Sequence, residues 1–237
     1  MPASIMLRGN ELGGTTGLVA AAFADLHRID AVFSTYRSDS DICRIRRGEL
    51  IAGDADPTVV EVLSLCDRAR LETEGWFDVD LPGGLDPSGL VKGWAVERVL
   101  ERLSQLPDVD VCVNVAGDVA VRTSGVPFVA GIEDPRDRTA LVATVPLLTG
   151  GLATSGTAAR GPHILDPHTG RPAQGPASVS VLGPSLMWAD VYATAAFARG
   201  GGLEWLTQQP SYAGLVVHSD GRVETTPGWP GPARGAG

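Results

Sequence analysis

Cysteine is scarce and unpatterned: Cys43, Cys66 and Cys112 are an odd set in 237 residues, and none stands in a CxxC spacing. That excludes a disulfide scaffold and a zinc framework, and it leaves three packing thiols in a reducing compartment, by default the cytoplasm. Positive charge is short as well. Lys and Arg number 19 against 28 Asp and Glu, a formal net charge of −9. No basic stripe of the kind that binds nucleic-acid phosphates runs through the chain, so an anionic ligand needs its own local cation. Long apolar runs are missing too. No segment reaches the ~18 apolar residues of a membrane span, and Met1 leads into Pro2, Ala3 and Ser4 rather than a basic stretch and an apolar core. Neither a span nor an export signal is expected.

What is present is a globular composition, 43% hydrophobic, long enough for one sizeable domain or two lobes sharing a core. Leu18, Val19, Ala22, Phe23, Leu26, Ile29 and Phe33 recur at three- and four-residue spacing, which predicts a helix over Thr16 to Phe33. Asp56 and Pro57 supply a cap and a first-turn proline for a second helix running towards Gly75, and a third is expected from near Lys92. After Pro107 the period changes to two. Val109, Val111, Val113 and Val115 alternate with polar residues or Cys112, and strands are expected at Phe128 to Ile132, Leu141 to Leu147 and Ser178 to Leu182. Asp220-Gly221 is a hairpin turn pair between Leu215 to His218 and Arg222 to Glu224, and one late helix spans about Trp188 to Phe197. Helices early and strands late, without strict alternation, predict an α+β fold. A single domain is expected over residues 1–226, followed by a loose Gly- and Pro-rich tail over 227–237.

Three segments combine glycines, carboxylates and hydroxyls. Thr73 to Asp78 and then Leu85-Asp86-Pro87-Ser88-Gly89-Leu90-Val91-Lys92-Gly93 lead into the third helix. Free N–H groups at a helix N-terminus make an anion site with Lys92 as a point charge, although a solvated cap and turn has the same residues. Thr154-Ser155-Gly156 precedes His163-Ile164-Leu165-Asp166-Pro167-His168-Thr169-Gly170, a turn with a histidine upstream. Imidazole titrates near neutrality, so His163 is a candidate general base; a structural histidine beside a turn is the alternative. Asp190 and Thr194 stand one helical turn apart on one face. They offer hard oxygen ligands suited to Mg²⁺, or else a capped helix start with a buried threonine.

In this order the segments resemble the FAD:protein FMN transferase (ApbE) family, together with Phe33-Ser34-Thr35-Tyr36-Arg37-Ser38-Asp39-Ser40, Gly75-Trp76-Phe77-Asp78 and Asn114-Val115-Ala116-Gly117-Asp118. The likeness runs from about Phe33 to Gly200. It implies a bilobal α+β fold with FAD in the cleft between lobes. It implies that Tyr36 packs on the isoalloxazine ring, that Trp76, Phe77 and Asp78 line the FAD pocket with Ile164, and that Asp86 and Lys92 contact FAD. By the same resemblance Asp190, Thr194 and the backbone carbonyl near Gly89 hold Mg²⁺, and His163 deprotonates the hydroxyl of an acceptor flavoprotein carrying a Ser/Thr-Gly-Ala-Thr-like sequence. FMN then passes to that Thr or Ser and AMP leaves.

Three departures from the family pattern stand out. Met1-Pro2-Ala3-Ser4 begins about where the family's Met-Gly-Thr opening ends, so that either the start is clipped or the contact is absent. Ala116 adds a methyl where the family carries glycine, in a loop that calls for positive φ. Thr157, Ala158 and Ala159 stand where an aromatic residue commonly follows Thr-Ser-Gly. Two rival activities use the same residues: an FAD pyrophosphatase with water as nucleophile, and a non-catalytic FAD-binding module.

Overall fold

A computed structural model of the chain describes residues 1–10, 12–158 and 161–231. In chain order the first half contains β1 (Ala3–Arg8), α1 (Thr16–Phe33), α2 (Asp41–Arg46), α3 (Pro57–Glu72), β2 (Asp80–Leu81), β3 (Gly84–Leu85) and α4 (Ser88–Leu103). Then follow β4 (Asp110–Val115), β5 (Asp118–Arg122), β6 (Phe128–Asp134), β7 (Asp137–Leu147), β8 (Thr149–Gly156), β9 (Leu165–Asp166) and β10 (Arg171–Pro172). The chain continues through β11 (Ser178–Gly183), α5 (Leu186–Ala198), α6 (Leu203–Thr207), β12 (Ala213–Val217) and β13 (Val223–Thr225). The class is α+β, as the segregation of helix and strand patterns predicts.

Seven strands form one sheet in the order β1-β4-β5-β8-β11-β12-β13, and every pairing is antiparallel. The period of two decides what each face carries. Val111, Val113, Val115, Ala120, Ala153, Val179, Val181 and Val216 point into a core shared with the helices. Cys112, Val119, Val121, Leu152, Leu215 and Val217 point the other way, into a second core covered by the β6–β7 hairpin through Ile132, Val142, Val145 and Leu147. A sheet buried on both faces explains why β5 is apolar at successive positions.

Local chemistry sets the helix ends that matter to the site. The Asp56 carboxylate accepts the Thr58 N–H at 2.9 Å with Pro57 in the first turn, as read. The third predicted helix begins four residues before Lys92, at Ser88, because Asp86 Oδ1 accepts the Ser88 N–H at 3.0 Å. Gly89 and Lys92 therefore share the opening turns of α4. A Cβ on Gly93 would come within 2.6 Å of Met187 Cα, so only glycine lets α4 cross α5 this closely.

Two expectations change. Thr154-Ser155-Gly156, read as loop, ends the central strand β8. The tail reading fails at Trp229, which is 8% exposed and packs into the second core. Residues 232–237 of that tail lie outside the described residues. No helix among the described residues is long and apolar enough to cross a membrane.

Candidate active site

A cleft of about 1060 Å³ runs beside the start of α4, and all eleven residues singled out from the sequence line it. Their placement differs. Tyr36 sits on the loop after α1 and is 89% exposed at the rim, a geometry open to stacking on a ligand ring. Trp76 is half-buried, with its ring edge-on to His168 at 4.5 Å between centroids. Phe77 is buried behind it. Asp78 pairs with Arg70 at 3.1 Å, and Asp86 lies 3.7 Å from Arg46.

The floor of the cleft is a buried charge cluster. Lys92 Nζ lies 2.5 Å from Asp118 Oδ2 and 3.7 Å from Asp190 Oδ1, with side-chain exposures of 11%, 2% and 3%. Asp118 is itself anchored, since its Oδ1 accepts the Thr154 N–H at 3.1 Å across the β5–β8 ladder. Lys92 thus offsets carboxylate charge that Asp118 and Asp190 bring into a low-dielectric setting. Oxygen donors stand ready beside it. Thr194 Oγ1 is 3.1 Å from Ser155 Oγ, and Gly89 is so near that a Cβ there would lie 3.6 Å from Thr194 Oγ1. Among the described residues no three His, Cys, Asp or Glu side chains gather into a metal cage. The hard-oxygen set fits Mg²⁺, which takes few protein ligands and completes its octahedron with water and phosphate oxygens.

His163 and Ile164 reach the cleft from the segment before the β9–β10 hairpin. His163 Nδ1 lies 3.0 Å from the Gly161 carbonyl oxygen. A carbonyl can only accept, so Nδ1 carries a proton in this contact, and in the neutral ring the lone pair that a general base needs then falls on Nε2. The hairpin turn is tied by Asp166, which accepts the His168 N–H at 2.8 Å and the Thr169 hydroxyl at 2.9 Å. Donation from the His168 N–H is the main reason its carboxyl sits below the ordinary range.

Ser155 and Arg46 line the cleft and Asp118 stands against Lys92 at its floor, and none of the three had a role of its own assigned from sequence. A signal for Asp118 existed, an aspartate opening an apolar strand directly after a turn. Ala116 and Gly117 form that turn with φ of +53° and +97°, so the methyl of Ala116 does stand in the left-handed region. Arg46 carried no signal. Only the fold sets its guanidinium over Gly84, donating to the Leu85 carbonyl at 2.5 Å.

Fold and cleft together define an α+β protein with a cleft of mixed polar and apolar lining over a buried lysine–carboxylate floor. The sequence profile of the ApbE family matches residues 2–82 and 80–216, and the chain belongs to that family. A relative from Haemophilus influenzae, FAD:protein FMN transferase, is 33% identical over 245 positions, covering 75% of this chain and 71% of that protein. The ApbE protein of Thermotoga maritima superposes with a TM-score of 0.82 at 22% identity, over 95% of this chain and 93% of that one. The flavinyl transferase ApbE of Pseudomonas stutzeri gives 0.74 at 23% identity, over 95% of each chain.

Proposed function

We propose that this chain is a Mg²⁺-dependent FAD:protein FMN transferase, which splits the FAD diphosphate and joins FMN through a phosphoester to a Thr or Ser of an acceptor flavoprotein. The supporting observation is the convergence on one cleft of an exposed ring at Tyr36, a fixed ammonium at Lys92 and a base-competent imidazole at His163. The H. influenzae relative, which carries that activity in its name, points the same way.

Each residue then has a task. Tyr36 and Trp76 receive the isoalloxazine ring, with Phe77 and Ile164 backing the pocket and Asp78 and Asp86 at its polar edge. Lys92, held by Asp118, presents a positive charge to the diphosphate at the start of α4, where backbone N–H groups add to it. Asp190, Thr194 and the carbonyl near Gly89 would hold Mg²⁺, which when bound offsets charge developing on the phosphoryl oxygens. His163 Nε2 accepts the proton of the acceptor hydroxyl as its oxygen bonds to the flavin-side phosphorus. The bond from that phosphorus to the bridging oxygen breaks, and AMP departs with the electron pair.

The test incubates purified chain with FAD, Mg²⁺ and an acceptor bearing a Ser/Thr-Gly-Ala-Thr-like sequence, and reads the acceptor's intact mass. One added FMN is expected, and His163→Ala should slow its appearance by about 100-fold or more while FAD still binds. FAD binding with no covalent FMN refutes transfer. Free FMN and AMP formed at the same rate without acceptor would make the enzyme a pyrophosphatase instead.

A further inference from the structure

Arg199 closes α5 one helical turn and a residue after Thr194, and its guanidinium reaches across to the end of α3. There Nη2 donates to the Thr73 carbonyl at 3.1 Å and to the Glu74 carboxylate at 2.7 Å. The last carbonyls of a helix lack partners within it and form the negative end of its dipole, so a cation there is favoured. The same guanidinium lies 5.3 Å from the centroid of Trp76 and 4.8 Å from that of Trp205. Its side chain is 17% exposed, so its contacts with the two rings are largely shielded from water, whereas Glu74 is 69% exposed.

The segment it grips is unusual. Glu74 and Gly75 take φ of +57° and +81°, turning the chain sharply out of α3 so that Trp76 projects into the cleft. A glutamate in that region carries a strain that surrounding contacts must hold. Trp76 also meets His168, in the turn five residues beyond His163. Trp76 thus contacts both Arg199, at the end of the helix that carries Asp190 and Thr194, and the hairpin that follows the candidate base.

We infer that Arg199 is a positioning residue: it sets the Trp76 ring as a wall of the cleft and fixes its distance from the Asp190–Thr194 face of α5. This rests on the cleft being the FAD site. Arg199 is not among the residues that line the cleft, so its loss weakens binding of the flavin ring and leaves chemistry at saturating FAD nearly intact.

The experiment measures FAD affinity of the full chain by flavin fluorescence without acceptor, and the KM for FAD and kcat in the transfer assay, for wild type, Arg199→Ala and Arg199→Lys. Arg199→Ala is expected to raise both Kd and KM for FAD about 10-fold, near 1.4 kcal/mol, with kcat within about 3-fold of wild type. Arg199→Lys keeps the charge but not the flat stacking surface, and should recover part of the loss. If Arg199→Ala does not fold, an Arg199→Lys protein with wild-type Kd overturns the inference by itself. Unchanged Kd and KM alongside a lowered melting temperature also overturn it, leaving Arg199 a mere brace. Wild-type chain that binds FAD without transferring FMN defeats the transferase reading alone, since the Kd comparison still stands. Wild-type chain that does not bind FAD defeats both.

Discussion

Replacing Lys92 by Met isolates the charge cluster under the cleft. Methionine keeps most of the stem's length and apolar contact, but it removes the cation that Asp118 and Asp190 share at 2.5 and 3.7 Å. Breaking a buried ion pair by deleting one partner costs about 3–5 kcal/mol, because the remaining charge stays desolvated. In a chain of this size each kcal/mol shifts the melting temperature by about 2–4 °C, so Lys92→Met should melt about 6–20 °C below wild type in EDTA. Adding Asp118→Asn to Lys92→Met restores the formal charge balance and should recover several degrees, a coupling expected only if the two groups interact directly. Millimolar Mg²⁺ should raise the melting temperature of Lys92→Met more than an equal ionic strength of Na⁺. The assay is differential scanning calorimetry or near-UV circular dichroism of the full chain. A Lys92→Met protein melting within 2 °C of wild type, or one destabilised further by Asp118→Asn, refutes the reasoning.

Ala116→Gly should stabilise the chain by about 0.5–1 kcal/mol, seen as a small rise in melting temperature. Relief of the left-handed φ exceeds the extra freedom glycine brings to the unfolded state. All three thiols are buried, and burial pushes Cys66 up to about 12 and Cys112 up to about 11. The thiolate forms of Cys66 and Cys112 are therefore absent at pH 8, and a chromogenic disulfide reagent should count these two thiols only after denaturant is added; rapid native labelling of Cys66 contradicts that burial. Tyr36→Ala removes a ring that touches little of the protein, so it should leave stability unchanged while weakening FAD by about 3–10-fold in a fluorescence titration.

Local patterns were legible wherever a segment's own residues decide its state. The helix read over Thr16 to Phe33 is α1 residue for residue, because its apolar period and flanking polar residues act within the segment. The Asp56-Pro57 start of α3 and the Asp220-Gly221 turn are likewise short-range chemistry. The central strand β8 was not legible. Thr149-Gly150-Gly151 has the composition of a loop, yet a Cβ on Gly151 would meet Leu186 Cα at 2.7 Å, so Gly151 serves the close approach of α5. Strand β1 is missed for a related reason, since its pairing with β4 lies more than a hundred residues away.

The candidate site divides along the same line. Residue types capable of the chemistry, and their order along the chain, are properties of the sequence, and so is the resemblance they carry. That Lys92 stands between Asp118 and Asp190, that Arg46 reaches Asp86, and that Arg199 contacts Trp76 are decisions of the tertiary structure. The physical reason is range. Capping, periodicity and turn chemistry act over a few residues, whereas a buried charge cluster exists only once α4, β5 and α5 have been packed against one another and water has been excluded from between them.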